Sequence, residues 1–291
     1  MSVETTSYYP EGFFVNDLEQ VQAKIGAIAL DGAATLEARL DFDRTMTTNG
    51  AKDLTSWDIL SGLLSPEAQV KDRELWNTYQ PLELNHTLTR PQAETWWNET
   101  LQLYVDDRAN IRHIETAARS VQLRPGTAEF FGTCRENGIH TTILSAGIHD
   151  VIDVVAARYG LDPDLILSTK LKSDPNNGRI TGWDESTLIH ILNKGEKGSP
   201  KLQTVRQQRP NTIVIGDALE DTRMADDHDE GAVLRIRVGD PHKIRPDHAS
   251  EYMEESFLAG YDMVRLGDFH PINNLAAFII GAADRVNEQA V

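Results

Sequence analysis

The 291-residue chain reads as an α/β protein, a mostly parallel sheet with helices on both faces and a helical insertion, and three observations predict this. Two short, apolar, β-branched runs, HTTILS at 140–145 and NTIVIGD at 211–217, each follow a helical stretch. Each also runs directly into small or acidic residues, as strands do when their carboxyl ends carry a site. Between about residue 49 and residue 122 the strand pattern stops and helical periodicity takes over.

The elements follow in order. Leu18, Val21, Ile25 and Ile28 recur at three- and four-residue steps and predict an amphipathic helix over 17–30. In TLEARLDFD, Leu36, Ala38 and Leu40 alternate with polar residues, which predicts a strand with Asp41 at or just past its carboxyl end. Ser65-Pro66 and Thr89-Arg90-Pro91-Gln92 are helix starts, the second with the form of a capping box and an early proline. These boundaries divide the chain into a core, 1–48 and 123–291, and an inserted helical cap, 49–122. The stretch NNLAAFIIGAADRV is expected to form a terminal helix docked on the core.

With 40% hydrophobic and 25% charged residues the composition is that of a folded domain. A formal net charge of −17, spread along the chain, opposes nucleic acid polymers and anionic membrane surfaces as partners. A small anionic substrate is compatible with it if a metal and one or two lysines reverse the field locally. Cys134 stands alone, which excludes an intramolecular disulfide and a cysteine zinc cage; a small buried residue is expected there. The opening MSVETTSYYPEGFF lacks a basic start followed by an apolar run, and no stretch approaches a membrane span, so a cytoplasmic setting is expected.

The chemistry begins at Asp41-Phe42-Asp43-Arg44-Thr45, a DxDxT pattern after a strand. In extended backbone, residues two apart point to the same side, so both carboxylates can face one site. One can attack phosphorus while the other manages protons. Ser145-Ala146-Gly147 follows the second strand, where a hydroxyl and backbone N–H groups can hold phosphate oxygens. Lys194 can neutralise a non-bridging oxygen, and Asp217 with Asp221 offers hard carboxylate oxygens that suit an octahedral Mg2+ shared with Asp41. Taken singly, each piece has an ordinary structural role as a cap, a surface lysine or a solvated charge. Together, in order and at strand ends, they form a catalytic set, because strand ends of an open parallel sheet converge on one crevice.

DFDRTMT, ILSAGIHDVID, LIHILNK and IVIGDALEDTRMADD resemble the four motifs of the haloacid dehalogenase superfamily, and more closely those of the cytosolic 5'-nucleotidase III (pyrimidine 5'-nucleotidase) family. YQPLELNHTLT resembles that family's substrate-recognition segment and EYMEESFLAGYDMV a segment near its C-terminus. The resemblance implies a Rossmann-like, haloacid dehalogenase-like core with an inserted helical cap, acting as a Mg2+-dependent phosphatase. It implies that Asp41 is nucleophile and metal ligand, and that Asp43 is general acid and base, its backbone carbonyl also on the metal. It further implies that Ser145, Ala146 and Lys194 hold phosphate, that Asp217 is a direct metal ligand and that Asp221 supports it. The chain departs from the family's GDSxGD at Ala218 and Glu220, and Arg44 stands where the family carries an apolar residue.

In the cap, Glu83 aligns with a glutamate that the family uses to read the base. Trp57, Trp96 and Trp97 could offer a flat face to a nucleobase. Adjacent helical residues diverge by about 100°, so Trp96 and Trp97 cannot both face one ligand and at least one is expected in a core. The substrate expected is a nucleoside 5'-monophosphate with a pyrimidine base. The alternatives are another small phosphomonoester, phosphoserine- or sugar-phosphate-like, and a non-catalytic scaffold of the same fold.

Overall fold

The computed structural model describes residues 11–48, 54–195, 200–226, 230–240 and 259–289, with side chains to residue 282; most of EYMEESFLAGYDMV lies outside them. Its centre is strand β2 (Leu36–Leu40), and all five residues of that strand are buried. Here the structure departs from the expected alternation of buried and exposed positions. Leu36, Ala38 and Leu40 fill one face, while Glu37 and Arg39 lie on the other and satisfy each other under cover. Arg39 Nε donates to Glu37 Oε2 at 2.8 Å, and Thr142 Oγ1 donates to Glu37 Oε1 at 2.7 Å. A central strand covered on both faces can carry polar residues only when their charges and hydrogen bonds are met internally.

Around β2 lies a seven-stranded sheet in the order β1-β9-β8-β7-β2-β3-β4. Its members, besides β2, are β1 (Phe13–Val15), β3 (His140–Ile148), β4 (Leu165–Thr169), β7 (Asn211–Gly216), β8 (Val233–Gly239) and β9 (Met263–Leu266). All neighbours run parallel except β1, which pairs antiparallel with β9 at the edge. Leu40 stands opposite both Ile143 and Ile215, so the end of β2 lies level with the end of β7, while β3 runs on past both to Ile148 with its register shifted after Leu144. That register places the residues at the carboxyl-terminal side of these strands around one crevice.

Helix α1 (Leu18–Asp31) starts at Asp17, whose side chain accepts from the Gln20 N–H, and buries Val21, Ile25 and Ile28. Leu18, expected in the same face, is instead exposed. The insertion between β2 and β3 is helical among the described residues: α2 (Ser56–Ser61), α3 (Pro66–Leu84), α4 (Arg90–Asp106) and α5 (Ile114–Ala118). The capping signals act as expected. Ser65 accepts from the Ala68 N–H ahead of Pro66, and Thr89 with Gln92 closes a capping box. Helices α6 (Thr127–Glu136), α7 (His149–Tyr159) and α8 (Pro200–Gln208) follow, and α9 (His270–Gln289) packs on α1 and α6.

The hairpin β5 (Leu171–Ser173) and β6 (Ile180–Trp183), which sequence reading counted with the core, packs against α4 of the insertion. An isolated bridge from Asn110 to Arg179 adds to that contact. Conversely, α2 and α5 of the insertion pack on α7, and Ile59, Leu60, Ile114 and Ala118 are continuous with the main hydrophobic core. No described helix is long and apolar enough to cross a membrane.

Candidate active site

Asp41 is the first residue after β2. Its backbone N–H still donates to Ile215 O at 2.9 Å, which fixes the direction of its side chain. The carboxylate is buried, with Oδ1 accepting from Lys194 Nζ at 2.7 Å and Oδ2 from Thr45 Oγ1 at 3.2 Å. Lys194 also donates to Asp221 Oδ1 at 2.6 Å. The other oxygen of Asp221 accepts from the N–H groups of Asp217 and Ala218, both at 3.0 Å. Gly216 permits this fold-back, since a Cβ there would collide with the Asp221 side chain. Ligand atoms of Asp41, Asp217 and Asp221 lie within 4.8 Å of one another.

Burial raises the Asp41 carboxyl, the Lys194 ammonium draws it down and the Asp221 charge pushes it up, leaving it above the ordinary carboxylate value. Burial, then the charges of Asp221 and Asp41, carry Asp217 up to about 7. For Lys194 burial alone would lower the ammonium, but the carboxylates of Asp221 and Asp41 outweigh it and raise it. Three carboxylates thus share one cation that bonds only two of them. That residual negative charge, on hard oxygen donors alone, fits a divalent cation such as Mg2+.

A testable consequence follows for the metal-free protein. Asp41 and Asp217 bind protons more tightly folded than unfolded, so their contribution to stability falls as pH rises from the ordinary 3.8 towards about 7. Melting in excess chelator should therefore move to lower temperature across that window, less steeply in Asp217→Asn, and Mg2+ should stabilise most above it. A pH-independent Mg2+ effect would rule out metal binding at these carboxylates.

Asp43 is held differently. Its Oδ1 accepts from the Ser56 N–H at 2.7 Å and its Oδ2 from Ser56 Oγ at 2.6 Å, at the first turn of α2. Burial raises this carboxyl to about 6, against the hydrogen bonds from Ser56. Its side chain is not part of the carboxylate cluster, which leaves its backbone carbonyl as the atom that the resemblance assigns to a metal. Gly147 passes close by: a Cβ there would strike Ser56 Oγ and stand 2.8 Å from Asp43 Oδ2. Ser145 is buried at the end of β3 and hydrogen-bonds Asp41, and its Oγ accepts from the Gly147 N–H at 3.2 Å.

The cap residues fall in two places. Glu83, in the last turn of α3, is half-buried, and burial raises its carboxyl; the charges acting on it are those of Arg44, Glu220, Lys194 and Asp221, so it overlooks the same crevice. Trp57 lies at the crevice rim, with its Nε1 on Ala146 O at 3.2 Å. Trp96 does not present a stacking face. It is 6% exposed, stacked on Tyr79 at 5.7 Å and edge-on to Trp76 and Trp97, so it belongs to the hydrophobic core of the cap.

Several supports were not foreseen. Arg44 adopts φ 64°, and its carbonyl is held by the buried Arg124, whose Nη2 donates to it at 2.8 Å while its Nε donates to Thr45 O at 2.9 Å. The turn carrying Asp217 is fixed by Arg237 Nε on Asp217 O at 3.0 Å and by Tyr261 Oη on Ala218 O at 2.6 Å. Glu220, in the family's glycine position, reaches His86 of the cap at 3.1 Å. Of these only Thr45, the last letter of DxDxT, carried a local signal.

A mostly parallel sheet that gathers a DxDxT turn, a serine at the third strand, a lysine and paired carboxylates in one crevice is that of a haloacid dehalogenase-like phosphatase, a hydrolase acting on phosphomonoesters. Solved structures share the fold: cytosolic 5'-nucleotidase IIIB bound to cytidine at TM-score 0.77 and 20% identity, covering 94% of this chain and 96% of that one. A phosphoserine phosphatase solved as a phospho-aspartyl intermediate analogue matches at TM-score 0.54 and 17% identity, over 82% of this chain and 97% of that one. The pyrimidine 5'-nucleotidase (UMPH-1) family model matches residues 42–275, and the chain belongs to that family. The 7-methylguanosine phosphate-specific 5'-nucleotidase A of Xenopus laevis is 28% identical over 281 residues, 91% of this chain and 94% of the relative. The corresponding enzyme of Mus musculus is 26% identical over 308 residues, 99% of each chain.

Proposed function

We propose that the protein hydrolyses nucleoside 5'-monophosphates through an aspartyl-phosphate on Asp41, with Mg2+ as cofactor. The observation that carries this is the convergence of Asp41, Lys194, Ser145, Asp217 and Asp221 at the carboxyl-terminal side of β2, β3 and β7. Asp41 attacks phosphorus; the phosphate accepts from Ser145 Oγ, the backbone N–H of Ala146 and Lys194 Nζ. Asp43, its carboxyl near 6, gives its proton to the departing ribose 5'-oxygen and then takes one from the water that opens the phosphoenzyme. A Mg2+ held by Asp41, Asp217, Asp221 and the Asp43 backbone carbonyl would neutralise developing charge on the phosphoryl oxygens.

Glu83 is the residue proposed to read the base. A carboxylate only accepts hydrogen bonds, so it favours edges that offer donors: the amino group of cytosine, the ring N–H of uracil, or a cationic methylated guanine. The relatives named for 7-methylguanosine phosphate and the neighbour solved with cytidine support this class. A cytoplasmic setting belongs to the same proposal, supported by the cytosolic neighbour.

The test is phosphate release from a panel of nucleotides and an aryl phosphate at fixed Mg2+, for the wild type and Glu83→Ala. Loss of the acceptor should lower kcat/KM for the preferred nucleotide by about 5- to 150-fold, the equivalent of about 1–3 kcal/mol, while sparing the aryl phosphate. An unchanged ratio between the two would favour a phosphoserine- or sugar-phosphate-like substrate.

A further inference from the structure

The last residues of β3, Ser145 to Ile148, which the proposed function assigns to phosphate, are held by residues of the insertion. Trp57 Nε1, from the first turn of α2, and Trp97 Nε1, from α4, both donate to Ala146 O at 3.2 Å. Their rings meet edge-on with centroids 5.9 Å apart, so the two N–H groups converge from different helices on one carbonyl. Two residues on, the Ile148 N–H donates to Ser56 Oγ at 3.1 Å, the hydroxyl that also bonds Asp43.

The Ala146 carbonyl and the Gly147 N–H belong to one planar peptide unit, so fixing one end fixes the other. That N–H donates to Ser145 Oγ. A hydroxyl whose lone pair is occupied in this way turns its hydrogen elsewhere, here toward the Asp41 side of the crevice where phosphate must sit. Indole can only donate and a carbonyl has two lone pairs, so the pair of tryptophans saturates Ala146 O and leaves it no other orientation. Nothing in this chain of contacts touches a base.

Resting on the phosphomonoesterase reading, we infer that Trp57 and Trp97 are positioning residues for the phosphate subsite: a double indole clamp on Ala146 O that makes phosphate capture depend on the seating of the cap. This gives Trp57 and Trp97 a role different from base stacking.

Trp57→Phe and Trp97→Phe keep an aromatic ring and remove the donor. Each should raise KM for cytidine monophosphate and for an aryl phosphate by the same factor, about 2- to 12-fold for one net hydrogen bond. The inhibition constant of inorganic phosphate should rise in step, while kcat stays within about threefold because the Asp41, Lys194 and Asp217 contacts are untouched. The thermal shift produced by inorganic phosphate should shrink alongside, a readout that needs no turnover. Should Trp97→Phe lose its cooperative melt, the half-buried Trp57→Phe alone decides. A loss confined to the nucleotide, or unchanged KM and phosphate affinity, would overturn the clamp. A wild type that binds phosphate but releases none from any ester would refute the proposed function and leave the clamp to be judged on binding.

Discussion

Asp41→Asn is expected to lower turnover by about four orders of magnitude or more, the scale of removing a nucleophile from an enzyme that needs it, with little change in fold. Asparagine keeps the shape of the side chain: its Oδ1 can still accept from Lys194, while its Nδ2 faces Thr45 Oγ1 as a donor. It cannot attack phosphorus. The substitution also removes one of the buried carboxylates that crowd Asp221 and Asp217, so the metal-free variant should melt no lower than the wild type at neutral pH. Steady-state phosphate release and a melting curve check both halves. Wild-type turnover in this variant would remove Asp41 from the chemistry.

Lys194→Met is expected to cost more stability than Asp41→Asn and to lower activity as well. Methionine preserves the apolar stem but leaves Asp41 and Asp221, 4% and 1% exposed, without their shared cation. Breaking a buried pair from one side costs about 3–5 kcal/mol, because the remaining charge stays buried. Loss of an electrostatic donor at the phosphoryl group should lower turnover by a further factor of about 10²–10³. The two effects separate in the double variant Lys194→Met/Asp221→Asn. Removing the stranded charge should restore much of the melting temperature and little of the turnover. Lys194→Met with wild-type melting and turnover would show that the ion pairs carry neither.

The parts of this architecture that were legible in the sequence share a physical cause. Ser145 and Asp217 could be placed because each ends a short β-branched run, and Asp41 because it follows an apolar–polar alternation; such runs become strands of a parallel sheet when helices lie between them. The starts of α3 and α4 could be placed because Ser65-Pro66 and Thr89-x-Pro91-Gln92 satisfy backbone groups locally. What escaped depends on partners distant in the chain. Glu37 and Arg39 read as an exposed strand face, yet Arg39 donates to Met224 O at the end of the turn that carries Asp221, so both are sealed beneath it. Edge strand β1 has three residues and no periodicity to detect. The hairpin β5–β6 joins the cap only through its packing on α4. The tryptophans announced an aromatic cap, but nothing local distinguished Trp96, stacked on Tyr79, from Trp57 and Trp97, whose indoles reach Ala146 O.

The departures from the family motif also find structural roles. Ala218 has no hydroxyl, but its N–H and that of Asp217 both bond Asp221 Oδ2, so backbone donors hold that oxygen while Lys194 holds the other. Glu220 contacts His86 and adds a second link between the cap and the carboxylate turn.

The central claim is that phosphate passes through Asp41, and trapping it there is the most direct test. The protein, turning over cytidine monophosphate with Mg2+, is quenched in acid and digested, and its peptides are weighed. The account predicts a phosphorylated peptide spanning Asp41 in the wild type and its absence in Asp41→Asn; with an aryl phosphate, whose leaving group needs no proton, it predicts an increase in Asp43→Asn, which lacks the base that opens it. Brisk Mg2+-dependent phosphate release with no such peptide, undiminished in Asp41→Asn, would contradict it.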